Sequence, residues 1–117
     1  MAFETATLAV FSSLHLSGAI DGGSKPYSPD SAGIAEAIIC VVLACGAIAL
    51  MRSPSAPRAT ALATLSFAIV GFIVGLSFTI QGGKAIDIAY HATMLPLLLL
   101  TLLALLRNPP MHAPGSA

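Results

Sequence analysis

Charge is what this sequence has least of: five Lys and Arg and five Asp and Glu among 117 residues, 9% in all. An ordinary soluble domain is about a quarter charged, so too few polar residues are present to cover a water-facing surface. That argues against a soluble enzyme. Sparse, balanced charge also excludes a basic nucleic-acid binder and a disordered acidic tail. With two cysteines only, Cys40 and Cys45, the chain is no disulfide-stapled secreted domain. Five positions apart on one helix, the two side chains diverge and cannot bridge each other. No nucleophile elbow, His-Glu-x-x-His, zinc-finger spacing or Cys-x-x-Cys-His attachment motif occurs. Gly22–Gly23 and Gly82–Gly83 lack a following basic motif, which leaves phosphate binding without support.

Apolar sequence is abundant: 56% of residues are hydrophobic and the mean hydropathy is +0.91. A hydrocarbon core of about 30 Å needs roughly 20 apolar helical residues, and four stretches approach or meet that length. The expected fold is an all-α membrane protein, a four-transmembrane-helix bundle with short loops. Its spans are placed at about 2–20, 31–51, 59–80 and 86–106, in one domain of residues 1–107. A Pro-rich mobile tail at 108–117 is expected to follow. Gly and Pro in the loops at 21–30, 52–58 and 81–84 stop each span. The runs are long and continuous rather than alternating, which excludes a β-barrel. Glu4 stands where a signal peptide would carry a basic residue, so the first span is kept as a helix. Arg52, Arg58 and Arg107 share a side with both termini, against Lys25 and Lys84 opposite. Positive residues favour the cytoplasm, which places both termini inside.

Ionisable side chains within a span cost about 2.5–3.5 kcal/mol at the helix centre and therefore face other helices. Here they are Glu4, His15, Glu36, Asp87 and His91. His15 lies about five residues before the first span ends, and Glu36 and His91 about five after the second and fourth begin. Helix direction alternates, so the three fall in one layer, roughly 8 Å inside the outer face. Asp87 stands one turn from His91, and Tyr90 borders it. Tyr27 and Tyr90 are also placed to anchor the interface. On the third span Gly71 and Gly75 form a small-residue packing surface, and Pro96 interrupts hydrogen bonding in the fourth.

Two imidazoles and a carboxylate suit a metal by ligand type, with Cys40 and Met94 as soft ligands one turn below. Two histidines on different helices could instead hold haem b axially. A third option is a quinone pocket in which His91 and Glu36 exchange protons with the head group, and a fourth a structural network fixing helix register. The segments Leu14-His15-Leu16-Ser17-Gly18, Ala35-Glu36-Ala37 and Asp87-Ile88-Ala89-Tyr90-His91 resemble small bacterial four-helix membrane proteins. In architecture the chain is also similar to DoxX-like proteins, which are associated with quinone or thiol redox systems. That resemblance implies four helices in the inner membrane of a bacterium and carries over no site residue. Two functions are expected. One is a non-catalytic accessory subunit of a larger respiratory, photosynthetic or transport complex. The other is a redox or metal-handling protein binding haem b, copper or quinone at an outer-leaflet site of His15, Glu36 and His91. Partners would be the lipid bilayer and either other membrane subunits or further copies of the chain, with no nucleic acid.

Overall fold

A computed structural model describes residues 1–52 and 58–108. Four helices follow one another: α1 (Ala2–Leu16), α2 (Pro29–Arg52), α3 (Arg58–Gly82) and α4 (Ala85–Arg107). Helices α2, α3 and α4 are long and apolar enough to cross a membrane, and each begins and ends within two residues of its expected bounds. The tail expected at 108–117 lies, beyond Asn108, outside the described residues.

The first helix departs from expectation. It ends at Leu16 rather than near residue 20, which makes it 15 residues long, or about 22 Å at 1.5 Å per residue. That is short of a full span. Gly18 is the cause: at φ +75° it turns the chain so that its own N–H reaches His15 O (3.1 Å) and the Ile20 N–H reaches Leu14 O (3.1 Å). A left-handed residue ends a helix in this way, and glycine adopts that conformation without penalty.

Consecutive helices pack on one another, and α4 returns to touch α1. Leu8, Leu43, Leu65, Phe72 and Leu98 are fully buried between them. Ile34, Val41, Val70, Ile73 and Leu100 remain exposed on the outer faces, as lipid contact requires. At the terminal end the Arg58 guanidinium donates to Leu105 O (2.7 Å) and Leu106 O (2.8 Å). It thereby satisfies carbonyls that α4 leaves open, a favourable place for a cation.

Above the short α1, the segment 17–28 folds inward as a cap. Ile20 and Tyr27 are buried in it, and the Ser24 N–H donates to Gly82 O at 2.8 Å. The two Gly-Gly pairs make this seam. Gly23 (φ +101°) lies so close to Tyr27 and Gly82 that an added Cβ would sit 2.6 Å from the ring and 2.7 Å from the carbonyl oxygen. A side chain on Gly82 would meet the Ser24 carbonyl.

Candidate functional site: a buried polar cluster beside an apolar cavity

Three helices and the cap bring their polar residues together at the loop end. His15 occupies the last turn of α1, where the helix dipole favours positive charge, and Asp87 the first turn of α4, where it favours negative charge. Gly33 on α2 admits α1 closely: its missing Cβ would lie 2.9 Å from His15 Cβ, and Ser12 donates to Gly33 O at 2.8 Å. This contact sets His15 against Glu36, one helical turn further along α2.

His15 is held on both sides. Its Nδ1 lies 2.8 Å from Glu36 Oε2 and its Nε2 lies 3.0 Å from Asp87 Oδ1. Tyr27, from the cap, donates to Asp87 Oδ2 at 3.0 Å, and its oxygen lies 3.1 Å from His15 Nε2. The Lys84 N–H also reaches Asp87 Oδ2, at 3.3 Å. His15 is 1% exposed, Glu36 3% and Asp87 0%, so solvent neither screens nor replaces these bonds. Burial and the neighbouring Asp87 push the Tyr27 phenol up from its ordinary value, which keeps it a donor.

The hydrogens can be assigned from these partners. Tyr27 spends its hydrogen on Asp87 and can only accept from His15, so His15 Nε2 carries a proton. One further proton lies between Nδ1 and Glu36 Oε2. Glu36 Oε1 is left without a hydrogen-bond partner among the described residues.

Glu36 also lines a cavity of about 610 Å³ between α2 and α3. Ala32, Ala35 and Ile39 come from α2, and Phe67, Gly71, Gly75 and Phe78 from α3. Exposed Ile38, Val70 and Val74 form its rim, so it opens sideways toward lipid. His91 closes the inner wall. Its Nδ1 bonds Asp87 O at 2.9 Å; a carbonyl only accepts, so Nδ1 carries the hydrogen and Nε2 of the neutral ring is an acceptor. That Nε2 sits against Gly75, where an added Cβ would come within 2.8 Å of it. Gly71 likewise receives Ile39 Cδ1, 2.6 Å from where its Cβ would be.

The residues singled out by sequence thus divide. His15, Glu36 and Asp87 are bonded into one cluster, while His91 stands in the wall of the cavity that Glu36 shares. Tyr90 stacks on Phe11 (centroids 3.7 Å apart, planes 5° apart), and its hydroxyl is buried with no partner among the described residues. The two sulfurs face α1 instead of the cluster: Cys40 Sγ donates to Thr5 O at 3.4 Å, and Met94 Sδ accepts from Thr7 at 3.5 Å. Pro96 lies within α4, which continues past it. Among the described residues no three His, Cys, Asp or Glu side chains are arranged to hold a metal ion, and both His15 nitrogens are engaged. Sequence reasoning missed Tyr27, placing it at the interface as an anchor. Its position between Pro26 and Pro29 carries no periodicity from which depth could be read.

Comparison with family models, curated proteins and solved structures finds no match to this chain.

Proposed function

We propose that this membrane protein binds a lipophilic small molecule, taken laterally from the bilayer, whose polar head donates hydrogen bonds to Glu36 and His91. The observation that carries this reading is Glu36 Oε1, a buried carboxylate oxygen without a partner among the described residues, on a side chain that lines a large apolar cavity. Leaving such an acceptor unsatisfied costs about 1–3 kcal/mol and more when it is charged, a cost that a donor in the cavity removes. Glu36 Oε1 and His91 Nε2 are both acceptors, so the head group should carry two donors. A dihydroxy-aromatic ring of the quinol type on an apolar tail meets this requirement, with Phe67, Phe72 and Phe78 beside the ring.

The test is binding of a long-chain alkylresorcinol, a dihydroxybenzene with an apolar tail, to the chain purified in mild detergent. Saturable binding is expected, weakened at least about tenfold by Glu36→Gln, which removes a charged acceptor worth about 1.5–3 kcal/mol. Gly75→Leu, which fills the cavity beside His91, should do the same. Binding that ignores both substitutions would rule this site out.

A second reading is an accessory subunit of a larger membrane complex. It is favoured by α1, whose 15 residues leave part of the bilayer thickness to be covered by a neighbour. Both readings take the terminal end, with Arg52, Arg58 and Arg107, as cytoplasmic. The inner membrane of a bacterium, the location implied by the resemblance of the His15, Glu36 and Asp87–His91 segments, is part of the same proposal.

A further inference from the structure

We infer that a ligand in the α2–α3 cavity and a proton compete for one atom, Glu36 Oε1, so that binding of a donor head group expels a proton. This rests on the reading of the cavity just given and adds its coupling to pH. The argument is a count of hydrogens and charges. Tyr27 donates to Asp87 Oδ2, His15 Nε2 donates toward Asp87 Oδ1, and one proton lies between His15 Nδ1 and Glu36 Oε2. Wherever that last proton rests, the cluster keeps one negative charge: imidazolium with two carboxylates, or neutral imidazole with one. A net charge among apolar helices is expensive, and every other acceptor of the cluster is in use. Oε1 is where a further proton would neutralise it.

A ligand hydroxyl needs the same atom as an acceptor. The anionic oxygen is the stronger acceptor, so a ligand that donates to it does so in place of the carboxyl proton, which passes to solvent, and the ligand's hydrogen bond takes over its part in stabilising the oxygen. No bond of the ligand breaks and no electron moves. The groups facing Glu36 are few. His15 comes from α1, Asp87, Tyr90 and His91 from α4, and Tyr27 from the cap; Cys40, one turn on along its own helix, turns to Thr5 O instead, and α3 brings Thr79, whose hydroxyl is tied to Gly75 O. Of these His91 is the one competitor, since a protonated His91 would also stop accepting from the ligand.

Calorimetric titration of the full chain in detergent with a long-chain alkylresorcinol, in buffers of different ionisation heat, counts the protons exchanged. The expected result is release of close to one proton per ligand at the acid end. Affinity should rise by up to about tenfold per pH unit until Oε1 is free. His91→Gln, which cannot titrate, should keep both the proton release and the slope, and Glu36→Gln should abolish them. Binding with no proton released, or release that disappears in His91→Gln, overturns the competition and leaves the cavity reading intact. Absence of binding at every pH overturns both.

Discussion

Each end of this bundle buries a glutamate, and the two are treated differently. At the terminal end Glu4 is 5% exposed and fully engaged: Oε1 accepts from Thr101, and Oε2 lies 2.5 Å from the Met1 amino group. Gly46 on α2 admits Thr64 of α3 into direct contact, and a smaller cavity of about 300 Å³ lies beside Met1 and Thr101, the partners of Glu4. At the loop end Glu36 is as deeply buried, yet one oxygen has no partner among the described residues and a cavity of about 610 Å³ adjoins it. A buried carboxylate with both oxygens bonded fixes helix register. The unpartnered oxygen, on a side chain that lines the larger cavity, is the one that the proposed reading has a ligand reach. The second end is therefore the one expected to answer to ligand and pH.

The largest effect that would sharpen this contrast is on His15. Replacing it by alanine leaves Glu36 and Asp87 facing each other without the imidazole between them, and breaking a buried pair in this way costs about 3–5 kcal/mol. Reversible unfolding in mixed micelles should report a loss of that size. A loss below about 1 kcal/mol would mean that the loop-end network is not what holds α1 to α2 and α4. Next comes the cap. Gly23→Ala places a methyl against Tyr27 and Gly82 at a left-handed φ, a clash and strain worth about 1–3 kcal/mol. The Ser24 amide, bonded to Gly82 O, should then exchange hydrogen faster, while amides of α2 and α3 near Gly46 keep their protection. Equal acceleration at both ends would erase the distinction between them.

Helices α2, α3 and α4 were legible because apolar residues run through each without a competing signal, and Gly or Pro stands just outside. The end of α1 was not, since Ser17, Gly18 and Ala19 are compatible with a further turn of helix; only the φ of Gly18 shows that the chain reverses there. The polar layer follows the same division. Counting 1.5 Å per residue from the span ends puts His15, Glu36 and His91 at similar depth, with Asp87 one turn from His91. Depth alone cannot say that His15 turns to Asp87 on α4, or that His91 bonds its own helix and faces the cavity. That choice depends on how α1 rotates, which Gly33 and the buried cap determine. The cavity itself left no periodic trace: Gly71 and Gly75 read as a packing surface, and the same absence of side chains makes room beside α2.

Two smaller effects separate the ends further. Glu4→Gln keeps an acceptor for Thr101 and loses the ionic attraction to Met1, so about 1 kcal/mol should be lost, with no consequence for alkylresorcinol binding. A large change in ligand affinity would show that the ends communicate.

The last effect is alkaline. Tyr27 is 7% exposed, and burial, its bond to Asp87 and the charges of Asp87 and Glu36 all raise its pKa above the ordinary 10.0. In the unfolded chain the phenol ionises near 10.0, while the folded protein holds its proton to higher pH. The unfolded state therefore binds fewer protons once pH passes 10.0, and stability falls as pH rises from there through the folded value. Below 10.0 this contribution is fully present. Tyr27→Phe removes the titrating group and should flatten the fall above pH 10. It also leaves Asp87 Oδ2 with only the Lys84 N–H, so the variant should be less stable than the native chain at neutral pH, and the two stability curves should converge as pH rises. Parallel curves would mean that Tyr27 is not hydrogen-bonded inside the cluster, and that the cap covers the loop end without taking part in it.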